Sequence, residues 1–341
     1  MGEPEAVSPI CRNLMHVSPF IPGLVSVILP VFNRPEFLSQ AVAQVLAQTY
    51  RPLEIILVDD GSTDGTGVLC DDLKARHPEI ARVVHRENGG PGAARESGRL
   101  LAGGEFIQYF DSDDQIDPRK FEVQMKALRA NPDCGVAYCK TRELTRGDPH
   151  DGRCSHYTGE KMDRLFPRLL ASRCWQTVTP LIRRDLSDAV GPWLPLRQEE
   201  DWEYDSRIAA LGAKLFYCEH YLASFVHHPG IRASGELLGE KIKLRDRCTA
   251  RLLILERALR AGVDDKCPDR QFFAQSLFLL SRQCGAAGLA AESRQMFGAS
   301  RIAAGQMKLK HQAIYGLLAA LVGWRNAGAL CGRIDNFRQR T

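Results

Sequence analysis

Three carboxylates fall within four residues at Asp111-Ser112-Asp113-Asp114, directly after the apolar run Glu105 to Phe110. Like charges crowded at one place are unfavourable unless a positive group sits among them. Hard divalent cations such as Mg²⁺ and Mn²⁺ take carboxylate oxygens and share them with a diphosphate. A turn or a helix cap is the plainer alternative, because Asp suits both. A second acidic group, Glu199-Glu200-Asp201, lies 85 or more residues downstream and opens an amphipathic helical pattern. Carboxylates placed there are candidates for a general base, although first-turn acids also simply complement the helix dipole.

The elements that would carry these residues alternate. Val25 to Pro30 reads as a buried strand, and Glu36 to Gln48 as a helix with Phe37, Leu38, Ala41, Val42, Val45 and Leu46 at helical spacing. Leu53 to Val58 is a second strand, ending in Asp59-Asp60-Gly61-Ser62. Strand, helix and strand in about 35 residues make a βαβ unit and a parallel sheet with right-handed crossovers. Ligands of such sheets collect beyond the carboxyl ends of the strands. Asn33, Asp59, Asp60 and the Asp111 cluster all fall there, so one pocket is expected to hold them. Further strands are expected at 79–85, 106–110, 135–139, 176–182, 214–218 and 223–227, with an excursion at 141–160.

Four motifs now occur in order: Val25-Ser-Val-Ile-Leu-Pro-Val-Phe-Asn-Arg34, Val58-Asp-Asp-Gly-Ser-Thr-Asp-Gly-Thr66, Asn88-Gly-Gly-Pro-Gly-Ala-Ala-Arg95 and Asp111-Ser-Asp-Asp114. Together they resemble the family 2 glycosyltransferases, inverting enzymes of the GT-A fold. The resemblance covers about residues 24–230. It implies an α/β fold: a Rossmann-like, mostly parallel sheet flanked by helices. It also implies a nucleotide-sugar donor, usually a UDP-sugar, and a divalent cation, Mn²⁺ or Mg²⁺.

Carried over residue by residue, the resemblance assigns Asp59 to the base and Asp113 to the ribose. Pro30, Phe32 and Asn33 would line the pocket beside the base. Arg95 would contact the base or the diphosphate, and Asp111 would bind donor or brace the loops, as would Asp60. Glu96 stands where the family often has Asn. Asp114 is the implied metal ligand, with Asp113 beside it. Glu200-Asp201-Trp202 matches the family's acidic pair and aromatic, which makes Asp201 the implied base and Glu200 the residue that orients the acceptor. Glu199 is an extra acid. The stretch His227 to Ser234 resembles a late His-Pro-Gly loop, in which His228 would reach the metal and Arg232 the diphosphate. Trp175, Trp193 and Trp202 are candidates for stacking on a sugar or for the core.

With 44% hydrophobic and 25% charged residues, the 341-residue chain has an ordinary globular composition. Its eleven cysteines form no C-x-x-C pair, which argues against a zinc site and for reduced thiols in a cytoplasmic protein. Residues 1–20 lack the continuous apolar core of a secretory signal. Three regions are expected: a loosely ordered leader at 1–23, the catalytic domain at 24–235, and an all-helical appendage at 236–341. Its helices are read at 240–261, 269–287, 290–304 and 309–331, and the apolar run Tyr315 to Gly323, too short and interrupted for a transmembrane helix, is expected to be a buried helix, with an interfacial amphipathic helix as the alternative. Residues 240–341 carry 18 Lys and Arg against 8 Asp and Glu, whereas residues 1–239 carry 27 against 33. Such polarity suits a solvated face, or peripheral contact with the inner face of a membrane. The expected acceptor is a glycan or a lipid-linked sugar in cell-surface polysaccharide or glycoconjugate synthesis; no nucleic acid is expected. A nucleotidyltransferase and a non-catalytic nucleotide-sugar-binding protein are the alternatives on the same fold.

Overall fold

The computed structural model describes residues 20–145, 152–227, 239–306 and 310–338. The chain opens with β1 (Ile21–Val31), α1 (Pro35–Leu46), β2 (Leu53–Asp59), α2 (Thr66–Arg76), β3 (Ala81–His85), α3 (Pro91–Leu101) and β4 (Gly104–Tyr109). Next come β5 (Gln115–Ile116), α4 (Lys120–Ala130), β6 (Cys134–Thr145), β7 (Leu181–Arg183), α5 (Arg184–Val190), α6 (Glu200–Ala210) and β8 (Lys214–His227). The helices α7 (Glu240–Arg260), α8 (Pro268–Ala286), α9 (Ala290–Ala304) and α10 (Lys310–Arg338) close it.

The strands form one mixed sheet in the order β3-β2-β1-β4-β7-β6-β8-β5. The first four are mutually parallel, as the alternating pattern requires. The β7 strand runs antiparallel to β4 and β6, and β8 runs parallel to β6. All seven residues of β2 are buried, and its run Ile55-Ile-Leu-Val58 is apolar without alternation because both faces of the strand are covered. Each of these apolar side chains contributes about 1.5–3 kcal/mol relative to exposure. One face of α1 buries Leu38, Ala41, Val42 and Val45. Helix α3 lies so close to the sheet that a Cβ on Gly98 would stand 2.3 Å from Ile28 Cγ2.

Several expectations change. Of the strand expected at 176–182 only Leu181–Arg183 is extended. Residues 176–179 turn, with Thr179 N donating to Gln176 O, and the carbonyls of Val178 and Thr179 accept from the buried side chains of Gln108 and Gln124. Side-chain amides replace a strand partner there. The strands expected at 214–218 and 223–227 are one strand, whose pairing with β6 shifts register around Lys140. The excursion expected at 141–160 starts as strand, since β6 runs to Thr145. The sheet already begins at Ile21, inside the expected leader. Trp175, Trp193 and Trp202 are all core residues.

Helix α10 overturns the expectation of a buried apolar helix. Tyr315, Ala319 and Ala327 face Phe278 of α8 and Phe297 of α9. Ile314, Leu317, Leu321, Val322 and Leu330 stand exposed. The helix is broken at Gly323, where φ is 82°. The other appendage helices share a continuous core with the sheet, through Trp175, Trp202, Leu244, Ile254, Phe273 and Leu277.

Candidate active site at the strand ends

The loop after β1 is stitched to the loop after β2. Asn33 holds the left-handed conformation at φ 51°, which Asn tolerates better than most residues. Its backbone N–H donates to Ser62 Oγ at 3.0 Å, and its Oδ1 accepts from Thr63 N at 2.7 Å. Asp59 Oδ1 accepts from Ser62 N at 2.9 Å, and Oδ2 lies 2.9 Å from His85 Nδ1. Burial opposes ionisation of Asp59, but the hydrogen bonds from Ser62 and His85 outweigh it and hold the carboxyl below its usual range. Asp60 braces the neighbouring loop, accepting from Gly89 N at 3.0 Å, Gly90 N at 2.8 Å and Arg86. Pro30 and Phe32 are half-buried beside these turns.

The glycine-rich segment ahead of α3 is required by packing. A Cβ on Gly92 would come within 2.1 Å of Leu194 O. That close approach brings α3 against the segment leading into α6. Arg95, one turn further on, is buried between two carboxylates. Its Nη1 donates to Glu200 Oε1 and its Nη2 to Asp111 Oδ1, both at 2.8 Å. Burial disfavours its charge, but Asp111 and Glu200 more than compensate, so the guanidinium stays protonated. Two acidic groups remote in sequence thus converge on one cation.

Asp113 pairs with Arg34 of the β1 loop. Asp114 is almost wholly buried, and its Oδ1 accepts from Val226 N of β8 at 3.4 Å. Both line a small pocket with Ser112, Gln40, Gln44 and Phe37. Two adjacent carboxylates on one pocket are the hard oxygen donors that Mn²⁺ and Mg²⁺ prefer, and diphosphate oxygens would complete a sparse site. Among the described residues no larger cluster of His, Cys, Asp and Glu is gathered for a metal. The expected ligand His228 and the expected diphosphate contact Arg232 lie outside the described residues.

The three acids at 199–201 diverge. Glu199 turns to Arg247 and Arg251 of α7, Glu200 to Arg95, and Asp201 to Arg173, whose Nη1 lies 2.6 Å from Asp201 Oδ2. Burial, reinforced by the charge of Asp201, pushes the Glu200 carboxyl up against the opposing pull of Arg95. Burial also pushes Asp205 up to about 7, with Arg173 opposing. Asp201 keeps an open face, at 22% side-chain exposure against 8% for both Glu200 and Asp205. Sequence reasoning missed Arg34 and Arg173. Arg34 ends the first motif and was within reach; nothing around Arg173 marks it.

A mixed sheet whose parallel strands end in paired carboxylates, with a second acidic group at a helix start facing them, defines a glycosyltransferase of the GT-A type. The model of glycosyl transferase family 2 matches residues 26–214, and the chain belongs to that family. With that, the nucleotidyltransferase alternative falls. The chain is 43% identical over 101 residues to glycosyltransferase GlyG of Streptococcus pneumoniae, covering 29% of this chain and 33% of that protein. It is 35% identical over 153 residues to an uncharacterized glycosyltransferase of Rickettsia prowazekii, covering 43% and 46%. It therefore spans less than half the length of these relatives. The structure of S. aureus TarS 1–349 in complex with UDP superimposes with a TM-score of 0.66 at 20% identity, covering 93% of this chain and 92% of that one. The same protein in complex with UDP-GlcNAc gives 0.64 at 21%, covering 92% and 89%. These similarities place the whole described fold, including the appendage helices, in one architecture.

Proposed function

We propose that this enzyme transfers a sugar from a UDP-sugar, with inversion, to a hydroxyl of a glycan or lipid-linked acceptor in cell-surface glycoconjugate synthesis. The observation that carries the reading is Arg95, held between Asp111 of the donor cluster and Glu200 beside Asp201. It brings the group that would hold the leaving diphosphate and the group that would activate the acceptor to one place. The similarity to a protein solved with UDP and with UDP-GlcNAc supports the choice of nucleotide.

Asp59 would accept from the uracil N3–H and Asp113 from the ribose hydroxyls, with Pro30, Phe32 and Asn33 beside the base. Asp201 takes the proton of the acceptor hydroxyl as its oxygen bonds to the anomeric carbon. The bond from that carbon to the diphosphate oxygen breaks, and UDP leaves with the electron pair. Arg173 holds the Asp201 carboxylate in place through its Nη1, 2.6 Å from Asp201 Oδ2. Asp114, with Asp113, would hold Mn²⁺ or Mg²⁺, which when bound offsets the charge on the departing diphosphate. A thermal-shift series of nucleotide sugars with and without Mn²⁺ tests the donor assignment. UDP-sugars should raise the melting temperature, and more so with Mn²⁺. A response confined to guanosine or thymidine nucleotides overturns the uridine reading, and no response to any nucleotide overturns donor binding.

The exposed face of α10 supports a location at the cytoplasmic face of a membrane. Ile314, Leu317 and Leu321 share one side of the helix and are 68%, 65% and 75% exposed. The segment His311–Cys331 is long and apolar enough to cross a membrane, with a mean hydropathy of 1.2. Its docking on α8 and α9 favours lying along the surface, with the surplus of Lys and Arg in residues 240–341 facing anionic lipid. Full-length protein should float with phosphatidylglycerol vesicles, and Leu317→Ser with Leu321→Ser should abolish this. Concentration-dependent dimerisation without flotation would assign the face to a second copy instead.

A further inference from the structure

Helix α7 grips the start of α6 at three successive points. Arg197 N, in the segment before the helix, donates to Asp246 Oδ2 at 2.8 Å. Glu199 receives Arg251 on both oxygens, from Nη2 at 2.8 Å and Nε at 2.9 Å, and Arg247 Nε at 3.1 Å. Glu203, fully buried, receives Arg257 Nη2 at 2.8 Å and Arg207 Nη2 at 2.8 Å. Arg251 is itself buried, stacked over the Trp202 ring at 5.2 Å.

Glu199 is the N-cap residue of α6, and two features of it call for an explanation. Its backbone is left-handed at φ 58°, a conformation that costs a residue with a Cβ on the order of 1–3 kcal/mol. Its carboxylate goes to Arg251 and Arg247 of α7 and makes no hydrogen bond to its own helix. Both follow if the side chain is drawn away to α7. Successive residues then leave the backbone toward arginines of three different segments: Arg247 and Arg251 on α7, Arg95 on α3 and Arg173 before β7.

We propose that Glu199 is a positioning residue: its pairing with Arg251 and Arg247 fixes the directions in which Glu200 and Asp201 leave α6, so that the C-terminal helices are part of the acceptor-activating machinery. This rests on the reading of Asp201 as the base. The pairing also neutralises a third acid next to the reacting one. The charged and titratable groups around Asp201 are Arg173, Asp205, Glu200 and, across Glu200, Arg95, with His156 on the adjoining loop. Glu199 pairs with Arg247 and Arg251, and Gln283 stands behind Arg247.

The test measures UDP release from UDP-GlcNAc with Mn²⁺ and, separately, UDP binding by calorimetry, in full-length protein. Glu199→Gly relieves the backbone strain and is tolerated at an N-cap, so it should fold. It should lower kcat by about 10- to 100-fold, as misplacement of a reacting group does, with an unchanged UDP dissociation constant. Arg247→Gln with Arg251→Gln leaves Glu199 charged and unpaired. The acid limb of its pH–rate profile should move to higher pH, and adding Glu199→Gln should bring the limb back. A purely structural contact would lower the melting temperature and leave the limb where it was. Wild-type kcat in Glu199→Gly, or an unmoved limb in the double variant, overturns the proposal. Wild-type kcat in Asp201→Asn instead overturns the base assignment, and the positioning role of Glu199 with it.

Discussion

The donor end and the acceptor end of this site differ in how much of the hold on their carboxylates comes from backbone N–H groups. At the donor end Asp60, Asp111 and Asp113 pair with Arg86, Arg95 and Arg34, and backbone N–H groups add a second hold: Ser62 N on Asp59, Gly89 N and Gly90 N on Asp60, and Val226 N on Asp114. At the acceptor end Glu199, Glu200, Asp201 and Glu203 each meet one or more guanidinium groups from other elements or turns. The consequences for charge are opposite. Hydrogen bonding keeps Asp59 acidic, whereas burial raises Glu200 and Asp205. A nucleotide site needs fixed charge, and a proton-accepting site needs a carboxylate poised among others.

The largest break in this contrast is at Asp114. Asp114→Ala should abolish the Mn²⁺-dependent part of UDP binding in titration calorimetry while the circular dichroism spectrum stays unchanged. Removing Mn²⁺ with a chelator should reproduce the loss in the wild type. At the opposite end, Asp201→Asn should lower transfer by about 10²–10⁴-fold, the usual contribution of a positioned base. The UDP dissociation constant should not move, because the lost interaction belongs to the transition state. If Glu200→Gln is dead and Asp201→Asn active, the base is Glu200.

Arg95→Met probes the hinge between the two ends. It strands Glu200 in the interior and should cost about 3–5 kcal/mol in urea unfolding, as removal of one partner of a buried pair does. A conservative hydrophobic swap with no stability loss would mean that Glu200 simply takes up a proton. The smallest effect is at Asp205, whose folded-state pKa of about 7 lies above the ordinary carboxylate value. Between those values the folded protein holds a proton that the unfolded chain has released, so stability falls as pH rises through that window. Asp205→Asn should flatten this decline in melting temperature between about pH 5 and 7.

The same contrast explains what could be read in the sequence. Asp59, Asp60 and Asp111 to Asp114 follow apolar strands directly, and the alternation of strand and helix puts strand ends together. The parallel half of the sheet and the donor end were therefore legible. Arg95 reaches Glu200 across 105 residues and Arg251 reaches Glu199 across 52, and no local pattern encodes either pairing. The turn at 176–179 was misread as strand because its buried polar partners, Gln108 and Gln124, lie far upstream. The apolar run in α10 suggested burial, but only Tyr315, Ala319 and Ala327 find a covering surface.

The divergence of residues 199–201 bears on how this chain can drift in length. Neighbouring helical residues project about 100° apart, so adding or deleting one residue just before α6 hands every acid to its neighbour's arginine. A deletion would present Asp201 to Arg95 and Glu200 to α7, and an insertion would present Glu199 to Arg95 and Glu200 to Arg173. Substitutions in the segment 194–198 leave this frame alone, whereas insertions there do not. A scan of single-alanine insertions, scored by UDP release, should find a sharp intolerant window between Leu194 and Glu200. Insertions near the exposed turn at Gly262 should be accepted.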